Sequence, residues 1–321
     1  MFCTTKERDI SMNTQYKPEG IIYHSPENRE YISSLAGLER AMLQEKILEA
    51  PAVMCDGDMN LFVDLGDVKG IIPRNEAALC KIGEEVKSIA VITRVGKPVC
   101  FKVTEIMVED GRPVAYLSRK EAQKQCKREF ISDLICGDIL QAKVTHMESF
   151  GAFVDIGCGI VSLLTIDSIS VSRISHPKDR FQTGDYIPVV VKSIDEENDR
   201  IFVSHREFLG TWEENAANFM AGDTVSGIVR SIEDYVIFIE LAPNLAGLAE
   251  CKSGVNVGDV ASVYIKSIIP ERMKVKLVLI DASPGVYVPK HKYYIDTAKV
   301  SHIDRWQYSP EVCTRIIESQ F

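Results

Sequence analysis

Short β-branched and aromatic runs, set between polar turns, dominate the chain. In 224–230, Val225, Gly227 and Val229 alternate with Thr224, Ser226 and Arg230, the period of two that half-buries a strand. IPVVVKSI (187–194), RIFVS (200–204), SVYIKSI (262–268) and VKLVLI (275–280) are bounded by Gly, Asp, Asn or Pro and predict further strands. Helical spacing lies between and ahead of these runs. Ser25-Pro26 predicts an N-cap with Pro at the first helical position, followed by a single stripe of Tyr31, Leu35, Leu38 and Met42. Ser118-Arg-Lys-Glu121, Ser204-His-Arg-Glu207 and Thr211-Trp-Glu-Glu214 have the form of capping boxes. Ala122, Cys126 and Phe130 follow the first box, and Trp212, Ala216, Phe219 and Met220 follow the last, so both linkers read as helices.

The strand pattern repeats. GDILQAKVTHMESFGAFVD (137–155) aligns without a gap on GDTVSGIVRSIEDYVIFIE (222–240), pairing Phe150 with Tyr235, Phe153 with Phe238 and Asp155 with Glu240. A weaker copy upstream shares Phe-Val-Asp at 62–64, placing the reference phenylalanines Phe62, Phe153 and Phe238 91 and 85 residues apart. Each copy goes on to a Gly-acid pair, Gly83-Glu84, Gly184-Asp185 and Gly258-Asp259, which follows that Phe by 21, 31 and 20 residues. The middle copy therefore holds about ten extra residues around SVSRISHPKD. Several short strands in roughly 75 residues favour a small closed barrel, because closure removes exposed edges.

Ser149-Phe-Gly-Ala-Phe-Val-Asp-Ile-Gly157 resembles the signature of the S-one RNA-binding domain, a module named after a protein of the bacterial small ribosomal subunit. Gly137-Asp138, His176-Pro177, Gly184-Asp185, Ser193-Ile-Asp195, Arg200-Ile-Phe-Val-Ser204 and the linker TWEENAANFMAGD agree with it, and the chain as a whole looks like the short S-one-like proteins of some Gram-positive bacteria. The resemblance implies a mainly β protein. Three tandem five-stranded OB-fold barrels (46–118, 134–204 and 221–283) would be joined by short helices at 119–133 and 205–220. A helical segment at 1–45 and an irregular tail at 284–321 would flank them. It also implies single-stranded RNA stacked on Phe150 and Phe153, with Asp195 and Arg200 at the positions of the family's acid and base. Thr165 and Glu250 stand where the family often carries a histidine, Tyr235 and Phe238 form the third copy's aromatic pair, and Lys274 takes the place of the base.

Phe150 and Phe153 are three apart, so strict alternation would put them on opposite faces; Gly151 is expected to supply a bulge that brings both rings to one groove. The plainer reading makes one ring core and the other an ordinary surface aromatic. Lys143, Lys192 and Arg200 in the middle copy, and Arg230, Arg272 and Lys274 in the third, are candidate phosphate partners; each is otherwise a solvated charge. Arg119, Lys120, Lys124, Lys127 and Arg128 would line a basic ridge or simply a solvated helix face. Tyr293, Tyr294, Trp306 and Tyr308, with Lys290 and Lys292, either extend a binding surface or pack the tail on the third barrel.

Charge cuts against a bulk electrostatic binder. With 37 basic and 46 acidic residues the net charge is −9, whereas nucleic-acid binders are more often basic, so an RNA site here must be local and rest on stacking. Hydrophobic residues, 45% of the chain, suffice for real cores. The nine cysteines form no C-x-x-C pair, the N-terminus lacks the apolar core of a signal peptide, and no apolar run is long enough to cross a bilayer. These features point to the cytoplasm, with no membrane partner. No phosphate-binding loop, nucleophile elbow or metal-ligand pair is present, so no cofactor, metal, small-molecule substrate or catalytic activity is expected. The expected function is a non-enzymatic RNA-binding protein of translation that holds mRNA and associates with the small ribosomal subunit. The alternatives are a ribosome-associated or RNA-decay adaptor whose barrels mainly bind protein, and a nuclease carrying the repeats as accessories.

Overall fold

A computed structural model describes residues 16–81, 83–285 and 292–321; Lys290 and the first fifteen residues lie outside the described residues. The chain divides into two compact units. The first takes the residues up to Leu134 with 141–143 and 155–161, and the second takes the remainder.

In the first unit, Ser25 caps α1 (Pro26–Ile32) through the Asn28 amide and Ser34 caps α2 (Leu35–Leu43) through the Gly37 amide. The expected single helix is thus two, because Ser34 adopts an extended conformation and restarts the helix; Tyr31 and Leu38 remain buried. The strands β1 (Leu48–Cys55), β2 (Leu61–Leu65), β3 (Val68–Ile72), β4 (Pro98–Glu109) and β5 (Arg112–Ser118) close in the order 1-2-3-5-4, with β3 and β5 parallel. A short helix α3 (Ser88–Ile92) precedes β4. Ser118 then accepts the Glu121 amide to start α4 (Arg119–Glu129), whose Ala122 and Cys126 are buried as their spacing required.

The next five strands are β6 (Ile139–Glu148), β7 (Gly151–Asp155), β8 (Val161–Thr165), β9 (Tyr186–Asp195) and β10 (Arg200–Ser204). They close in the same cyclic order, again with one parallel pair, β8 with β10. The linker helix α5 (Trp212–Ala216) has the expected capping box, but it is one short turn and Met220 beyond it is exposed. Ser204-His-Arg-Glu207 starts only a 3-10 turn at 206–209, which ends at Gly210 with φ +84. The third barrel comprises β11 (Thr224–Glu233), β12 (Val236–Ala242), β13 (Leu245–Glu250), β14 (Val260–Ile269) and β15 (Lys274–Ser283). The tail is more regular than its sequence suggests. β16 (Arg305–Gln307) and β17 (Glu318–Gln320) form an antiparallel ribbon, and Trp306 and Tyr308 join the core of the third barrel.

The same alternation runs through all three barrels. Leu61 and Val63, Ala152 and Val154, and Ile237 and Ile239 point inward and are buried, so the intervening Phe62, Phe153 and Phe238 point outward.

A buried polar cluster ties the first unit together. Glu19 pairs with Arg119 at 2.6 Å, donates its amide to Asp155 at 2.7 Å and accepts from the Cys100 amide at 3.1 Å. Burial opposes its charge, but the Arg119 guanidinium outweighs burial and holds the carboxyl at about 2. Nearby, Glu49 accepts the Gly20 and Tyr23 amides, and burial pushes its carboxyl up to about 8. Glu49 therefore keeps its proton in the folded state while the unfolded chain loses it near 4.5. Its contribution is complete below about pH 4.5 and is lost as pH rises towards about 8. Glu19 acts in the opposite sense, and its contribution is lost as pH falls from 4.5 towards about 2. Urea denaturation of Glu49→Gln is expected to gain stability over the wild type at pH 8 and not at pH 5; an equal difference at both pH values contradicts this assignment.

Candidate nucleic-acid interface

The hairpin joining β6 to β7 turns on Ser149 and Phe150. No bulge at Gly151 is needed, contrary to the sequence expectation. Phe150 sits in the turn, outside the strand alternation, and Gly151 is the first residue of β7. Gly151 serves close packing instead: a Cβ there would lie 2.4 Å from the Leu164 carbonyl oxygen. Phe150 is 53% exposed and meets the half-buried Phe153 edge-to-face, with ring centroids 6.0 Å apart.

A third ring joins them. His146 stacks on Phe153 at 6.1 Å and 21°, and its Nε2 lies 2.7 Å from Glu148 Oε1. In the third barrel Ser231 pairs with Phe238, and the gapless repeat makes His146 and Phe153 the equivalent pair. The signal for His146 was thus in the sequence, in the two-residue turn that fixes the register. Phe202, half-buried on β10 opposite Leu163 and Ser193, was also missed; it lies two residues after Arg200, on the outward side of the strand.

Two cations stand on the other strands of this barrel, Lys192 on β9 and Arg200 on β10. Lys192 Nζ donates to Ser168 Oγ at 2.8 Å and lies 3.5 Å from Asp167, while Thr165 Oγ1 donates to the same Ser168 at 3.0 Å. Arg200 is exposed, opposite Asp195 in the β9–β10 ladder. Hydrogen bonds from the Asn198 side chain and amide hold the Asp195 carboxyl below the usual carboxylate range. Asp195 thus shapes the turn that presents Arg200.

Lys143 and Arg230 do not join the rings. Lys143 donates to the Glu19 carbonyl at 2.7 Å in the first unit. Arg230 is largely buried, bonded to Glu240 at 2.7 Å and to Asp179 at 3.1 Å. The basic ridge on α4 is likewise thinned: Arg119 is buried against Glu19, and Lys120, Lys124 and Arg128 pair with Glu76, Glu121 and Glu129.

The third barrel repeats the geometry with fewer rings. Tyr235 occupies the turn at 84% exposure and Phe238 faces outward at 36%. Phe238, Leu248 and Lys276 form a continuous cross-strand row, and Lys274 stands one outward position earlier on β15, opposite Ile269. Lys276 was missed, although it follows Lys274 by the strand period of two. In the first barrel the same row reads Phe62, Ile71, Tyr116 and Glu105, ending on an acid. Lys69 Nζ lies 5.0 Å from the centre of the Phe62 ring.

Residues 134–206 match the S1 RNA binding domain, which bears out the resemblance read from Ser149–Gly157. The chain is 30% identical over 233 residues to the small ribosomal subunit protein bS1 homolog of Bacillus subtilis, covering 70% of this chain and 56% of that one. It is 33% identical over 213 residues to the Bacillus cereus homolog, covering 64% and 51%. It is 29% identical over 253 residues to small ribosomal subunit protein bS1 of Staphylococcus haemolyticus, covering 77% and 60%. The chain therefore spans little more than half the length of these relatives.

The close approach at Gly151 has a measurable consequence. Gly151→Ala is expected to cost roughly 1–3 kcal/mol, because the clashing atom is backbone and must be displaced. Unchanged stability in chemical denaturation would contradict that packing.

Proposed function

We propose that this chain is a non-enzymatic, ribosome-associated protein of translation that binds single-stranded RNA, mRNA included, by stacking bases on the second barrel. The observation that carries this reading is the outward cluster of His146, Phe150 and Phe153 in the segment that matches an RNA-binding domain. Each stacked base contributes about 1–3 kcal/mol and needs no particular sequence. Two or three rings beside Lys192 and Arg200 offset the repulsion expected from a net charge of −9. In this reading the third barrel assists through Tyr235, Phe238, Lys274 and Lys276. The three modules correspond to 46–118, 134–204 and 221–283, and the protein works in the cytoplasm with the small ribosomal subunit as its partner, in keeping with the names of its relatives.

A protein-docking role suits the first barrel better. Val53, Met54, Met107 and Val108 are exposed there, and its outward row carries Tyr116 where the third barrel has Lys276 and ends in Glu105 where the third barrel has Ser267. Exposed apolar side chains beside acids favour a protein surface over phosphate.

Fluorescence anisotropy with an unstructured RNA tests the reading. Phe150→Ala/Phe153→Ala is expected to weaken binding at least about tenfold, equivalent to one or two lost stacks. For the wild type, log K is expected to fall with log salt by about 0.7 per phosphate neutralised. Unchanged affinity in the folded double variant would remove the second barrel from the site, and no binding at low salt would favour the adaptor.

A further inference from the structure

The ten extra residues of the middle repeat form part of a segment with a defined course inside the second unit. It leaves β8 at Thr165 and Ser168, beside Lys192. Its middle is fixed to the third barrel where the Val171 amide donates to Asn244 Oδ1 at 2.9 Å. Its far end is clamped by buried charges. Arg180 Nη2 bonds Glu240 Oε2 at 2.8 Å, and both side chains are almost wholly buried. Arg230 bridges the same Glu240 to Asp179. Glu240 follows Phe238 by two residues on β12, and Arg230 adjoins Ser231, the cross-strand partner of Phe238. The segment thus runs from the edge of one ring-bearing face to the edge of the next.

The clamp is electrically balanced, with two arginines against Glu240 and Asp179, so it consumes no charge from the outer side of the loop. Arg173 and Lys178 lie in this segment, both exposed and without an ion pair among the described residues. A buried, geometrically constrained ion-pair network holds its parts in one arrangement, because separating them would strand a charge away from water.

We propose that segment 166–181 is a bridge for the sugar–phosphate backbone, with Arg173 and Lys178 contacting the phosphates of RNA that passes from the second barrel to the third. This rests on the reading of the two faces as an RNA site and adds that they act as one continuous surface. An RNA long enough to reach both barrels uses the bridge, and one that fills a single barrel does not. One OB barrel takes about 4–16 nucleotides, so an RNA of about 6 nucleotides fits within one barrel and one of about 24 exceeds it, which separates the two cases.

The test is anisotropy with oligouridine of those two lengths, using Arg173→Ala/Lys178→Ala and the charge-preserving Arg173→Lys/Lys178→Arg. The alanine variant is expected to bind the long RNA roughly tenfold more weakly, with a salt slope shallower by about 1.4 for two lost phosphate contacts. Its affinity for the hexamer should be unchanged, and the charge-preserving variant should match the wild type with both RNAs. Equal losses on the two lengths would place the cations in the second barrel's own site, and no loss on the long RNA would remove them from the path; either result overturns the bridge. Wild-type protein that binds neither RNA overturns the reading of the faces, and the bridge with it.

Discussion

Closure of each five-stranded sheet is the constraint on which the remainder of the structure depends. A closed barrel of this size has an interior that side chains must fill, so every second residue of a strand turns inward and its neighbours turn out. Ala152 and Val154 satisfy the interior of the second barrel, which leaves Phe153 on the outside with no apolar core to enter. The hairpin then brings His146 alongside it from β6, and the turn adds Phe150 from the end. The ring cluster is thus a by-product of filling the barrel, held by backbone that cannot shift without opening the sheet.

The acid that follows these phenylalanines in the repeat has a different task. Asp155 and Glu240 are both buried, each within a network containing an arginine from an earlier segment. Asp155 accepts the amides of Glu19, Gly157 and Gly159 beside the Glu19–Arg119 pair in the first unit. Glu240 receives Arg180 and Arg230 in the second. Asp64, at the same repeat position, is exposed, and among the described residues its carboxylate accepts only the Gly66 amide. Buried charges of this kind add little net stability over an apolar contact, but they tolerate few alternative arrangements. The repeat therefore sets two residues on one outward face: a ring left partly open to solvent and, two positions on, an acid buried by neighbouring segments.

Much of this was legible from residues 137–155 and 222–240 alone. The strand period, the repeat, the outward phenylalanines and the capping residues Ser25, Ser118 and Thr211 depend on local spacing, and local spacing survives folding. The second linker helix was overestimated because a capping box marks where a helix begins and not how far it runs; α5 ends after Ala216, whereas α4 runs from Arg119 to Glu129. Lys143 and Arg230 look like any other strand cation in sequence. Lys143's partner, the Glu19 carbonyl, and Arg230's partner Asp179 come from distant segments, while Glu240 reaches Arg230 across the β11–β12 hairpin. His146 and Phe202 were overlooked for the opposite reason: each follows from a register that the sequence already contained.

Under the proposed function, unpaired nucleotides lie on the ring cluster of the second barrel, although the molecule as a whole is an anion. Ultraviolet cross-linking of this chain to single-stranded RNA containing 4-thiouridine, with the modified peptides identified by mass spectrometry, tests this placement. Adducts are expected within 146–153 and 200–202. Adducts confined to the first barrel or the tail, with none on those two segments, would contradict it.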